Sequence, residues 1–345
     1  LLEDRTGRGI PGMQLSVTTA QGGIWSRAAG LADVYNRVDM QACQLTRVGS
    51  TVKIFTAVTC LLLQEEGLLN LDDRIADYLS TDDLQGFEHT DQITIRQLLL
   101  HSSGLPNYIT SGRFQTASLN DLTKTWTREE LLDYAREQAA SFEPGADVRY
   151  SNTGYILLGD IISAVSGKPF YEVFEERIFL PLGLEFTRFA ATDPVPTDLV
   201  RGYVDLYSRT ELINATQYSG WDYFTADGGL ISNAHDLTRF MRALFGGQLL
   251  SPASLAEMTD WRSPNEYDPE EFAGDFGLGI FRIPTEFGDA YVHGGDAIGY
   301  YAFTAYFPES ATALSWAVNG NYGKLYDLAQ SKETTEDIFR RVFSD

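Results

Sequence analysis

Ser50-Thr51-Val52-Lys53-Ile54-Phe55-Thr56-Ala57-Val58-Thr59-Cys60-Leu61-Leu62-Leu63-Gln64-Glu65-Glu66-Gly67 puts apolar side chains on nearly every face of a helix. A helix that is apolar all round belongs in a protein interior. This one is expected to run through the middle of the molecule and to stop at its glycine. The start of the helix carries chemistry. Ser50 lies at the first turn, where backbone N–H groups lack helical partners and the positive end of the dipole favours a developing oxyanion. Lys53 is one turn on and on the same face, within reach of the serine hydroxyl. A lysine in an apolar helix is costly unless it is paired or its pKa falls, and a lowered pKa fits it to accept a proton. The plainer alternative makes Ser50 a helix cap and Lys53 a surface residue.

Outward from this helix, residues 13–19 alternate as a strand after the Gly9-Ile10-Pro11-Gly12 turn, with 23–32 as partner across Gln21-Gly22-Gly23. From about residue 71 to 210 the spacing is helical. Helices are expected over 93–101, over 127–140 with a capping box at Thr127-Arg128-Glu129-Glu130, and over 152–165 before Gly167. Strands return at 291–293, 300–307 and 311–319, and one helix over 324–343 closes the chain. Leu1-Leu2-Glu3-Asp4-Arg5 reads as the end of a helix. Strands at both ends around a helical middle predict an α/β domain formed by 1–70 and 220–345. A mostly helical domain over 71–219 interrupts it, with a cleft between the two.

Composition narrows the function. The chain has 345 residues, 43% of them hydrophobic, which describes a globular protein with an ample core. A net charge of −22 argues against nucleic acid and anionic membrane surfaces as partners. No apolar run reaches the roughly 18 residues that a membrane-spanning helix needs. Four separated histidines, with no His-x-x-x-His or Cys-x-x-Cys, argue against a metal site, and no cofactor is called for. Cys43 and Cys60 do not make a disulfide framework in a chain this long, and Cys60 reads as a core thiol.

Two further clusters follow in order. Tyr150-Ser151-Asn152 precedes an apolar helix, and Val292-His293-Gly294-Gly295-Asp296 lies on a strand near the C-terminus. Alone, the first is a helix cap and the second a structural histidine. Together with Ser50-Thr51-Val52-Lys53 they resemble the penicillin-recognising serine hydrolases, in the branch of class C β-lactamases, D-alanyl-D-alanine carboxypeptidases and family VIII esterases. Leu98-Leu99-Leu100-His101-Ser102-Ser103-Gly104-Leu105-Pro106 and Gly228-Gly229-Leu230-Ile231-Ser232 fit the same pattern.

The resemblance implies a β-lactamase/transpeptidase-like fold, an antiparallel sheet flanked by helices with a helical insertion. It implies Ser50 as acylated nucleophile, Lys53 and Tyr150 as the groups that move its proton, and Asn152 as a grip on the acyl group's amide. His293, Gly294 and Gly295 would form the substrate strand, and the backbone N–H groups of Ser50 and Asp296 the oxyanion hole. Substrates implied are a β-lactam or D-amino-acid peptide, with small neutral esters as the alternative and an inactive cell-wall-peptide binder as a remote one. A periplasmic or secreted location goes with the family. Gly294 stands where the family's threonine supplies a hydroxyl, and an Asp296 carboxylate facing the cleft would repel anions. Carboxylate recognition is therefore expected to be weak. Trp221, Tyr223, Phe224 and Tyr108 are candidates for the cleft mouth by analogy of position, with aromatic core packing an equal alternative.

Overall fold

A computed structural model describes residues 1–190, 195–209, 211–218, 224–267 and 272–344. Its frame is an antiparallel sheet of eight strands: β1 (Gly12–Thr18), β2 (Trp25–Asp33), β3 (Val38–Asp39), β4 (Asp275–Phe276), β5 (Phe281–Thr285), β6 (Gly288–Ala297), β7 (Tyr300–Phe307) and β8 (Thr312–Val318). The order across the sheet is β3-β2-β1-β8-β7-β6-β5-β4. The first and last parts of the chain meet where β1 pairs with β8, Leu15 opposite Trp316. This is the mixed α/β, antiparallel architecture that the sequence predicts.

Strand alternation gives the sheet two apolar faces. One carries Phe303, Phe307, Leu314 and Trp316 and is covered by Ile338 and Phe339 of the C-terminal helix Lys332–Ser344. The other carries Ala302, Tyr306, Ala313 and Ala317 and faces a helical core that includes Phe240 and Met241 of helix Ala234–Phe245. The expected closing helix is two pieces, Lys324–Ala329 and Lys332–Ser344, broken at residues 330 and 331. The break lets the second piece turn onto the sheet. Its Ser331 hydroxyl accepts from the Thr334 N–H, as a helix cap does.

Helix α1 (Val52–Glu65) is buried on almost every side, as its composition demands. Phe55 stacks on Phe240 with ring centroids 3.8 Å apart and meets Phe179 edge-on. Burying one such side chain is worth about 1.5–3 kcal/mol, which fixes the helix's position and that of the residues at its start. In the helical stretch, helix Arg128–Arg136 begins at the capping box of Thr127 and Glu130. Helix α2 (Asn152–Ser166) ends at Gly167, and helix Ile95–Leu99 is shorter than expected. The short strands Arg188–Phe189, Tyr203–Val204 and Ile213–Asn214 also lie between residues 71 and 219, a stretch expected to be mostly helical and poor in strands. Both cysteines are free thiols, Cys43 exposed and Cys60 buried.

Candidate active site

Ser50 sits two residues before the α-helix, in a 3-10 turn at Gly49–Thr51 that leads into Val52. Lys53, fully buried, donates from Nζ to Ser50 Oγ at 3.0 Å and to the carbonyl of Asp227. The rings of Tyr150 and Tyr155 face the ammonium, with centroids 5.1 and 5.5 Å from Nζ. A lysine so placed is held by geometry on all sides, so the surface-residue alternative falls away.

Tyr150-Ser151-Asn152 is tied down by the turn at 101–107. The backbone N–H of Arg149 donates to the His101 carbonyl, and that of Ser151 donates to His101 Nδ1 at 3.2 Å. His101 takes the left-handed conformation, φ 57°, which turns its ring beneath Tyr150, centroids 4.5 Å apart. Because Nδ1 accepts an N–H, the ring is neutral. Burial, with Lys53 and His293 nearby, holds it well below the usual histidine range. Asn152 donates from Nδ2 to Asn107 Oδ1 at 3.3 Å, while its own Oδ1 is buried with no partner among the described residues.

The third cluster arrives on β6, whose pairing with β5 ends at Val292 opposite Phe281. Beyond it the strand lies against the Ser50 turn. A side-chain carbon at Gly295 would sit 2.9 Å from the Ser50 nitrogen, and one at Gly49, where φ is 48°, would sit 2.5 Å from the Asp296 carbonyl oxygen. Two glycines are thus what lets strand and turn touch. His293 Nδ1 is 2.6 Å from the Gly294 carbonyl, a contact that requires the proton on Nδ1. Burial, with Lys53 nearby, pushes this histidine down to about 3. Its Nε2 is then an acceptor, buried and without a partner among the described residues.

Alternation along β6 turns the Asp296 side chain to the opposite face from His293 and Gly295, so its carboxylate does not face Ser50. The carboxylate accepts from Asn321 Nδ2 at 2.7 Å. Although part of the residue is exposed, the protein packed around the carboxylate displaces its water and pushes its carboxyl up to about 7, against the Asn321 hydrogen bond.

Tyr108 is not at a cleft mouth. It is fully buried and donates its hydroxyl to Asp227 Oδ2 at 2.9 Å. Phe224 packs into an apolar cluster, and Trp221 and Tyr223 lie outside the described residues. Asp227 went unnoticed in the sequence: a fully buried acid whose carbonyl holds Lys53 and whose carboxyl is raised by burial, opposed by the Lys53 charge. Its signal was an acid inside the small, apolar run Thr225-Ala226-Asp227-Gly228-Gly229. Among the described residues no three His, Cys, Asp or Glu side chains group to hold a metal, and no helix is long and apolar enough to cross a membrane.

The family model for β-lactamase matches residues 1–333. The chain belongs to the β-lactamase family. This hydrolase is 30% identical over 342 residues to penicillin-binding protein 4* of Bacillus subtilis, covering 95% of this chain and 73% of that one. Among solved structures it resembles a D-stereospecific amidohydrolase from Streptomyces sp., at 29% identity, TM-score 0.82 and 95% of each chain. It also resembles the D-amino acid amidase of Ochrobactrum anthropi SV3 in complex with D-phenylalanine, at 26% identity and TM-score 0.87 over 99% of this chain and 97% of that one. The hydrolase is thus a member of the serine β-lactamase and penicillin-binding protein superfamily, with the fold expected of it.

Proposed function

We propose that this serine hydrolase cleaves amides of D-amino acids or short D-peptides through an acyl-enzyme on Ser50. The observation that carries the reading is the pair of orphaned acceptors, Asn152 Oδ1 and the Nε2 of a neutral His293. Buried acceptors without partners are costly, so a substrate whose N–H donors reach them as the side chains shift on binding gains most here. A substrate carboxylate would find no cation at His293 and no hydroxyl at Gly294. The amidase and amidohydrolase relatives support the D configuration. The net charge of −22 favours approach of a protonated amine over an anion. A neutral ester would leave both acceptors unpaired, which weighs against the esterase alternative.

In this mechanism Ser50 Oγ attacks the amide carbonyl, and its proton passes through the Lys53 and Tyr150 pair to the leaving nitrogen. The backbone N–H groups of Ser50 and Asp296 bind the oxyanion, and water then releases the acid. The penicillin-binding name of the Bacillus relative supports a periplasmic or secreted location. The test compares kcat/KM for D- and L-phenylalanine amide with nitrocefin turnover, using Ser50→Ala as control. Hydrolysis of the D-amide that the control lacks is expected. Faster turnover of nitrocefin than of any D-amide would return the chain to the β-lactamase reading.

A further inference from the structure

Resting on the acyl-enzyme reading above, we propose that the cavity beside Tyr150 is the leaving-group pocket and takes a phenyl-sized apolar group. The cavity measures about 1070 Å³, just above the usual range of about 300–1,000 Å³ for small-molecule sites. Its floor is the face of the sheet opposite His293 and Gly295, built by Val292, Gly294 and Phe303. Phe272, Phe276 and Phe281 form walls, and each is only half-buried, so ring surface is left for a ligand to cover. Gly294 widens the floor, since a side-chain carbon there would sit 3.0 Å from the Tyr301 hydroxyl. The rim carries Asp147 and Glu266 as well as Arg149 and Lys332, so it makes no single demand on charge.

Tyr150 is the wall that this cavity shares with the polar centre. Its ring centroid lies 5.1 Å from Lys53 Nζ on one side and 6.1 Å from that of Phe281 on the other. During acylation the bond from Ser50 Oγ to the carbonyl carbon forms and the bond to the leaving nitrogen or oxygen breaks. The proton lost by Ser50 returns to that leaving atom from Tyr150. An atom that takes its proton from Tyr150 must lie within hydrogen-bond reach of it, and the substituent it carries then extends into the space that Tyr150 lines. The aromatic walls select what fits: a ring, packed offset or edge-on, rather than a small polar group.

The experiment uses D-phenylalanine esters of two alcohols with similar reactivity, n-propanol and 2-phenylethanol. The phenylethyl ester is expected to show roughly ten- to a hundredfold higher kcat/KM, the gain from burying a phenyl-sized group. Phe272→Ala removes a wall. Gly274→Phe fills the space, since a side-chain carbon at Gly274 meets nothing closer than Ile283 at 3.5 Å. Either variant is expected to cut the phenylethyl-to-propyl ratio at least fivefold, so one suffices if the other fails to fold. Equal Ser50-dependent turnover of the two esters would overturn the pocket and leave the acyl-enzyme reading intact. Turnover of neither above the Ser50→Ala control would overturn both.

Discussion

Substituting Gly295 by alanine separates the contact between strand and nucleophile turn from everything else in the site. The added carbon would lie 2.9 Å from the Ser50 nitrogen and 2.8 Å from the Val48 carbonyl carbon, and nearer still to that carbonyl's oxygen. Ordinary contact begins near 3.4 Å, so strand and turn must part by about 1 Å at the least, with backbone on both sides and no flexible side chain to yield. A displacement of that size costs on the order of a hundredfold in rate. Loss of one oxyanion donor costs about 10²–10³, or ~2.7–4 kcal/mol. The expected fall in kcat is therefore about 10²–10³. At the adjacent Gly294 the same added carbon meets only the tip of a side chain, the Tyr301 hydroxyl at 3.0 Å, and kcat should stay within about threefold. The assay is turnover of a p-nitrophenyl ester with burst titration of Ser50, alongside thermal melts that confirm each variant is folded. Gly49→Ala, aimed at the Asp296 carbonyl from the other side, should reproduce the Gly295 loss. A folded Gly295→Ala enzyme that keeps more than a tenth of its kcat, or a Gly294→Ala enzyme that loses as much, would refute the assignment of this contact to the oxyanion hole.

Lys53→Met keeps the apolar stem and removes the ammonium that contacts Ser50; acyl-enzyme formation should drop by about 10²–10⁴, measured by burst kinetics. His293, held near 3 in the native state and near 6.5 when unfolded, binds its proton only in the unfolded chain between those values, so its contribution to stability is lost as pH falls below 6.5. The slope is on the order of 1.4 kcal/mol per pH unit. Denaturant melts of His293→Gln should show a shallower acid dependence than the parent; an identical slope would mean that the native imidazole is charged. Cys60, its thiol pushed up to about 12 by burial, should resist a thiol reagent at pH 8 while exposed Cys43 reacts. One equivalent of reagent is expected in native protein and two in denaturant.

The parts of this molecule legible in its sequence are those decided by neighbours in the chain. The buried helix, the capping box at Thr127 and the strand over residues 300–307 follow from local composition and spacing and emerge as read. Ser50 and Lys53 are legible for the same reason, one helical turn joining them. What the sequence left closed is which distant group each polar atom meets. Tyr108 reads as either a cleft-mouth or a core aromatic because nothing near it announces Asp227, 119 positions away. Asp296 looked like a charge in the cleft because the side of the strand it occupies depends on where Gly295 meets Val48.

Those distant contacts carry the proposed choice of substrate. A histidine at position 293 reads as a cation when only its type is known. The hydrogen bond to the Gly294 carbonyl and the burial around the ring make it a neutral acceptor instead. The same reversal holds at Asn152, where Nδ2 meets Asn107 and the oxygen is left over. A motif whose letters already point to weak carboxylate recognition presents, in space, two buried acceptors without partners among the described residues. If those acceptors set specificity, Asn152→Asp keeps the acceptor and adds a charge. It should retain hydrolysis of a D-amino-acid amide bearing a free amine far better than Asn152→Leu, which removes the acceptor at similar volume. Equal loss in both variants would show that the amide Nδ2 holds the substrate, and the argument from orphaned acceptors would fail with it.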